Sequence, residues 1–277
     1  MESAFRKNHM VGIVPLSPHH KNLGMPWPDY LLYLDDDFCL LKNSVYECLF
    51  AGCDSIWVVC NDDTLPLVRN VLGDYARAPD HYFDPSGRNY PNSYEKNIPI
   101  FYTPLSQGDR NRESLGWSVI AGALTSFKVC SRISKWTRPS KYYVSFPYSV
   151  YDIGVLSKNK DKIRSSDLCF LSCNNKTVKS GHQLGFSFSP RHWITFKRNV
   201  KQDCSGGNKN LPLEKRWSSA NFSLDKIFNC DNIEEVQDTI ETTGYLNFDT
   251  WNSVREFYQS SLDLVRPEIE MIGPFFR

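Results

Sequence analysis

Residues able to handle a charged substrate are concentrated in SPHHKNLGMPWPDY, where Ser17, His19, His20 and Lys21 stand ahead of a single glycine, Gly24. Hydroxyl, imidazole and ammonium groups in one loop can hydrogen-bond phosphate oxygens and neutralise their charge. A second polar cluster, SQGDRNRE, sets Gln107, Asp109, Arg110, Arg112 and Glu113 just before a helical stretch that contains Gly116. Side chains in such a turn can meet a base or a ribose. Asp152, which closes FPYSVYD, and the triplet Asp35, Asp36 and Asp37 carry hard oxygen ligands suited to Mg²⁺. Acids placed before a helix are also favoured by its dipole, by about 0.3 to 1 kcal/mol each. Cys169 and Cys173 with His182 and His192 have the ligand types for zinc, but their spacing fits no standard closed site. Trp193, Phe196, Lys197, Arg198 and Lys201 fall together in HWITFKRNVK, just after Arg191. Interleaved aromatic and basic residues suit single-stranded nucleic acid or a phosphorylated acceptor, and a half-buried strand with a basic outer face gives the same pattern.

The elements that must position these residues follow from periodicity. VGIVPL, residues 11 to 16, reads as a strand, and Leu41, Val45, Cys48 and Leu49 give the spacing of an amphipathic helix that stops at Gly52. SIWVVC, residues 55 to 60, reads as a buried strand. Strand, helix and strand in this order make a right-handed parallel unit, and the loop leaving its first strand lies where ligands bind in open α/β sheets. TLPLVRNVLGDYA predicts a second helix, residues 77 to 96 a loop, IPIFYTPL a third strand, SLGWSVIAGALTSFKVCSRISKW a long helix, and YYVSFPYSVYD a fourth strand running to Asp152. LCFLSCNN could be a further strand. FSFSPRHWITFKRNV alternates like a hairpin or a pair of edge strands, and the segment from 222 to 259 reads as helices. The expected fold is α/β, a doubly wound and mostly parallel sheet with an inserted basic β-hairpin region. One domain over residues 1 to 277 is expected, with a core half at 10–152, a basic insertion at 160–216 and a closing strand and helices at 218–277.

Composition narrows the function classes. The formal charge is +1. That near-neutral total hides nine Lys or Arg against two acids in residues 174 to 216, and eleven acids against three bases in 225 to 270. Polarisation of this kind points to a basic binding surface or an internal electrostatic contact. Nine cysteines, several inside apolar runs, and an N-terminal MESAFRKNHM without an apolar core lead us to expect reduced thiols and a cytoplasmic location. No apolar segment reaches the roughly 18 residues that span a bilayer, which argues against a membrane-embedded role. The chain has no Gly-x-Ser-x-Gly elbow, Walker A loop or Gly-x-Gly-x-x-Gly fingerprint. The 17 Phe, 14 Tyr and 7 Trp are numerous enough to serve a protein interface as well as a core.

The order of these elements resembles the nucleotidyltransferases that join a nucleoside triphosphate to a sugar phosphate, and more broadly the nucleotide-diphospho-sugar transferase (GT-A-like) superfamily. VGIVPLSPHHKNLGMPWPDYLL stands where that family has its first strand and phosphate loop, and Ala51-Gly52 with Ile56-Trp57-Val58-Val59 where it has Ala-Gly and an apolar strand. Gln107-Gly108 ahead of Ser114-Leu115-Gly116 is similar to its base-reading turn, FPYSVYD to its metal-binding strand end, and GYLNFDTWNSVREFY to the segment that closes its core. The likeness covers most of residues 10 to 152 and 218 to 260. It implies binding of a nucleotide or nucleotide-sugar and transfer of a nucleotidyl or glycosyl group with Mg²⁺. Ser17, His20, Lys21 and Gly24 would meet phosphates, with Lys21 catalytic. Gln107, Arg110 and Gly116 would meet the base or ribose, Asp152 would be a catalytic metal ligand, and Arg191 and Lys197 would position a phosphorylated acceptor. The loop departs from the family in having one glycine and in placing Asp29 where the family has lysine. A Rossmann-like pseudoenzyme with a structural or protein-binding role is the alternative that these departures imply.

Overall fold

The computed structural model describes residues 9–16, 22–79, 95–105, 115–134, 137–206, 238–260, 262 and 270–273. The chain opens with β1 (His9–Pro15), a 3₁₀ turn at Asp29–Leu31, and a small hairpin of β2 (Tyr33–Asp35) and β3 (Phe38–Cys39). α1 (Leu40–Phe50), β4 (Ser55–Cys60), α2 (Leu65–Leu72), β5 (Tyr75–Pro79) and β6 (Glu95–Pro104) follow. Next come α3 (Leu115–Ile133), β7 (Pro139–Val144), β8 (Ser149–Val150), α4 (Gly154–Lys158) and α5 (Lys160–Ser165). The remainder comprises β9 (Leu168–Ser172), β10 (Phe186–Phe188), α6 (Pro190–Gly206), β11 (Asp238–Glu241), β12 (Leu246–Asn247), α7 (Trp251–Gln259) and β13 (Glu270–Ile272).

Nine strands form one sheet in the order β11-β9-β10-β7-β1-β4-β6-β5-β13. Its centre, β7-β1-β4-β6, is parallel, while β10 runs against both β7 and β9, and β5 against β6. β4 is buried along its whole length, and so is β1 after His9, as strands covered on both faces must be. Two glycines permit that cover. A Cβ on Gly12 would lie 2.8 Å from Cys48 Sγ on α1, and one on Gly122 of α3 would lie 2.9 Å from both Ile13 Cγ2 and Val59 Cγ2. α1 and α3 therefore close on β1 from opposite sides, at backbone distances that only glycine tolerates.

The expected first helix and second strand are present where the spacing put them, and the sheet is doubly wound and mostly parallel as expected. The fourth strand is shorter than expected. It ends at Val144, and Ser149–Val150 pairs instead with β12. The ends of the expected 77–96 loop belong to β5 and β6, and residues 238–241, expected to be helical, form β11 beside β9. The inserted basic hairpin is corrected. FSFSPRHWITFKRNV is one short strand and then a helix, because Pro190 starts α6 and His192 and Phe196, four residues apart, turn to the buried face. Arg191, Ile194 and Arg198 face outward at helical spacing, which alternation over a short window imitates. Much of the aromatic content fills the core. Phe186 stacks near Phe146, Phe170 and Phe188, and Phe188 meets Tyr142 and Phe196, with centroids 5.1 to 6.3 Å apart.

If the close approach at Gly122 governs how α3 seats, Gly122→Ala overpacks the joint between α3, Ile13 and Val59. The expected loss is about 1 to 3 kcal/mol in chemical denaturation. An unchanged midpoint would show that the helix can shift without penalty.

Candidate functional site

α1 and α3 flank β1 on opposite faces; β1 leads through α1 to β4 on one side, while β7 on its other side is reached from β6 through α3. The strand order reverses there, and in open α/β sheets the carboxyl ends of the strands at such a reversal are where a ligand crevice is expected, here between β1 and β7. Its described floor is well fixed. Leu16 N–H donates to Val59 O at 2.8 Å, Ser145 N–H donates to Ile13 O at 3.0 Å, and the Tyr148 hydroxyl donates to Leu16 O at 3.4 Å. Leu105 N–H donates to Cys60 O at 3.2 Å and carries the layer on to the end of β6. Ser17, His19, His20 and Lys21 leave from β1 and Gln107, Asp109, Arg110, Arg112 and Glu113 follow β6, but all lie outside the described residues.

Beyond the first loop the chain is held by a carboxylate. Asp29 is buried, and its Oδ2 accepts the N–H groups of Asn22 at 2.7 Å and Leu23 at 3.4 Å. This draws residues 22 to 29 into a closed turn, in which Gly24 takes a positive φ of 68° at the exposed tip. The residue standing at the family's lysine position thus faces the protein interior and shapes the loop. Gly116 is buried in the first turn of α3.

Under the crevice lies a group that periodicity alone does not reveal. Glu47 of α1 is buried, and its carboxylate accepts hydroxyl hydrogens from Tyr143 at 2.7 Å, from Ser145 at 2.6 Å and from Tyr151. Gly185 N–H donates to Tyr151 Oη at 3.2 Å, and a Cβ at Gly185 would collide with Glu47 Oε1 and Tyr143 Oη. One carboxylate therefore joins α1, the end of β7, the segment after β8 and the approach to β10. Burial pushes its pKa up to about 7, against the opposing effect of the hydrogen bonds from Ser145, Tyr151 and Tyr143. The available signal was slight: a lone acid between Tyr46 and Cys48 in a helix whose residues, Lys42 apart, are all buried.

Other expected site residues are dispersed. Asp152 is eight positions past the end of β7. Its N–H donates to Thr243 O at 3.0 Å, beyond β11, and its Oδ1 accepts Gly154 N–H at 2.8 Å. At the β7 exit stand Ser145 and Phe146, where the resemblance implied a metal-binding carboxylate. Among the described residues no three His, Cys, Asp or Glu side chains are grouped to hold a metal ion, which also sets aside zinc at Cys169, Cys173, His182 and His192. The described residues do not fit a built Mg²⁺ centre. Asp35, Asp36 and Asp37 form the β2–β3 turn, where Asp35 Oδ1 accepts Asp36 N–H at 2.8 Å. Arg191 pairs with Asp167 at the amino edge of the sheet, because β10 runs antiparallel and delivers α6 there. Its expected acceptor role is corrected on that ground. Lys197 rests its ammonium 5.8 Å from the Trp193 ring centroid. The seven cysteines whose side chains are described are free and buried, and no helix among the described residues is long and apolar enough to cross a membrane.

No family model matches this chain, and no curated protein matches it. Solved structures do. A candidate glucose-1-phosphate thymidylyltransferase from Bacillus anthracis, in complex with a sucrose, aligns over 93% of this chain and 98% of its own at 11% identity, TM-score 0.57. A 4-diphosphocytidyl-2C-methyl-D-erythritol synthase from Anaerococcus prevotii aligns over 91% and 97% at 10% identity, TM-score 0.51. The inositol-1-phosphate CTP transferase from T. maritima aligns over 93% and 98% at 9% identity, TM-score 0.50. The fold is therefore nucleotide-diphospho-sugar transferase-like.

Glu47 gives this region a measurable pH signature. A carboxyl whose pKa rises from 4.5 unfolded to about 7 folded binds its proton more tightly in the native state. Its contribution is full below pH 4.5 and is lost as pH rises to 7, by roughly 3 kcal/mol. Glu47→Gln, which can still accept at Oε1, should lack that decline when unfolding free energy is measured from pH 4.5 to 7.5. Parallel curves for the two proteins would refute the assignment.

Proposed function

We propose that this chain binds a nucleoside triphosphate or nucleotide-sugar in the crevice between the carboxyl ends of β1 and β7, and transfers a nucleotidyl or glycosyl group from it. The observation that carries the reading is the reversal of strand order at β1, in a fold whose solved neighbours include two proteins named for nucleotidyl transfer at TM-scores of 0.50 and 0.57. Phosphates would meet Ser17, His20, Lys21 and the backbone near Gly24, with Lys21 neutralising charge as it develops. Gln107, Arg110 and the start of α3 at Gly116 would meet base and ribose. For nucleotidyl transfer the step is in-line displacement at the α-phosphorus: an acceptor oxygen forms the new P–O bond as the bond to pyrophosphate breaks. Positioning and charge neutralisation lower most of that barrier. The acceptor phosphate is not assigned to Arg191 or Lys197. Whether Mg²⁺ takes part is a matter for measurement.

One observation favours a second reading, a catalytically inactive scaffold that retains binding. The β7 exit presents Ser145 and Phe146 in place of a carboxylate. Thermal unfolding with a panel of nucleoside triphosphates and nucleotide-sugars, with and without Mg²⁺ or Mn²⁺, separates the cases. A binding ligand at a hundredfold excess over its Kd should stabilise the chain by about 2.7 kcal/mol. Lys21→Ala should weaken that shift, while Asp152→Ala should leave it and any cation dependence in place. Stabilisation by no nucleotide would end the binding reading, and stabilisation without turnover would select the inactive scaffold.

A further inference from the structure

Four of the eight large apolar side chains exposed among the described residues are aromatic and belong to one region. Trp27 is 47% exposed, Tyr33 47%, Trp251 57% and Tyr258 63%. Two hydrogen bonds join α7, which carries two of them, to the 23–34 segment, which carries the other two. Trp251 Nε1–H donates to Leu23 O at 2.9 Å, and the Tyr258 hydroxyl donates to Leu34 O at 3.0 Å. Seven residues apart, Trp251 and Tyr258 lie on one side of α7 and about 10.5 Å apart along its axis. Val254 between them is buried, so α7 lies lengthwise along the 23–34 segment. Trp27 stands in the turn that Asp29 closes onto Asn22 and Leu23, and Tyr33 precedes the carbonyl that Tyr258 grips.

The anchoring is selective. Each α7 ring is tied by its polar edge while much of its surface stays in solvent, so little side-chain freedom remains to be lost on binding. On the described stretches that carry the rings, residues 22–42 and 249–258, the exposed or half-exposed acids Asp35, Asp36, Asp37, Asp249 and Glu256 outnumber Lys42 and Arg255, of which Arg255 falls between the two α7 rings at helical spacing. That excess of acids disfavours an extended polyanion such as nucleic acid along the shelf. It suits hydroxyl groups, because carboxylates and amides such as Asn22 and Asn252 accept and donate hydrogen bonds to them. The C–H face of a pyranose ring is apolar and weakly positive, which complements the negative face of an aromatic ring. The spacing along α7 accommodates more than one hexose.

We propose that this aromatic shelf binds a neutral oligosaccharide. On the transferase reading above, on which this role rests, the shelf holds a glycan acceptor beside the crevice, since Leu23 lies two residues beyond the loop that leaves β1.

The test uses the full chain without nucleotide. Maltohexaose, cellohexaose and chitohexaose are titrated by calorimetry and tryptophan fluorescence, with a heparin hexasaccharide and hexalysine as charged comparators. At least one neutral hexasaccharide should bind, and the double variant Trp27→Ala, Tyr33→Ala should weaken it roughly tenfold or more with an unchanged melting midpoint. Trp251→Phe, which keeps a ring and loses the N–H anchor, reports the shelf without removing its stacking surface. Failure of all three neutral glycans, binding of only a charged comparator, or undiminished affinity in the double variant overturns the proposal. Nucleotide stabilisation is measured separately on the same proteins. Glycan binding without it would sink only the transferase reading, and nucleotide binding without glycan binding would sink only the shelf.

Discussion

Everything at the carboxyl end of this sheet depends on how closely two helices approach β1. Gly12 lets α1 bring Cys48 within van der Waals contact of the strand backbone, and Gly122 lets α3 seat against Ile13 and Val59 on the other face. A methyl group at either place has no room without movement of its neighbours. With β1 sealed from both sides, the chain runs out through β4 to β6 on one flank and returns through α3 to β7 on the other, and the expected crevice is a consequence of that reversal. The crevice therefore belongs to the packing of the interior, and the loops that would provide its chemistry are built onto it.

The same closeness explains why a carboxylate is tolerated beneath it. Glu47 is carried by the face of α1 that meets β7, where an ionised group would cost several kcal/mol in isolation. Three hydroxyl donors reduce that penalty, and Gly185 leaves the space in which they converge. The arrangement acts as a joint, since Tyr143 and Ser145 belong to the exit of β7, and Tyr151 and Gly185 to the segments leading into α4 and β10. Movement of any one of these disturbs hydrogen bonds to all the others. A half-satisfied cluster here would be worse than an apolar one.

The parallel centre was legible in the sequence because its strands are apolar runs and its first helix has apolar residues at helical spacing and a glycine stop, although the fold buries that helix on every side but at Lys42. The hairpin reading of 186 to 200 failed because alternation and helical spacing coincide over a few residues, and Pro190 carries the deciding signal. The placement of Asp152 failed for a different reason. FPYSVYD looks continuous, but Ser149 and Val150 pair with β12, a contact nearly 100 positions away that no local pattern encodes. Arg191 was misplaced by the antiparallel sense of β10, again a long-range fact. Glu47 was invisible because its partners lie about 100 positions away, at the exit of β7 and after β8.

Asp29 shows what these departures mean together. Read as a substitution at a phosphate-contacting position, an acid is repulsive. In the fold its Oδ2 turns inward and accepts two backbone N–H groups, so the charge that would have opposed a ligand instead fixes the turn that follows the loop. A lysine there could not accept those hydrogen bonds, and the turn would lose its closure. Trp251 then grips Leu23 O in the same turn from α7, so two independent anchors hold residues just beyond Lys21. A loop with one glycine has little backbone freedom to wrap a phosphate, and a fixed exit reduces it further. On the binding reading proposed above, recognition by such a loop would come from side chains, His20 and Lys21 first among them.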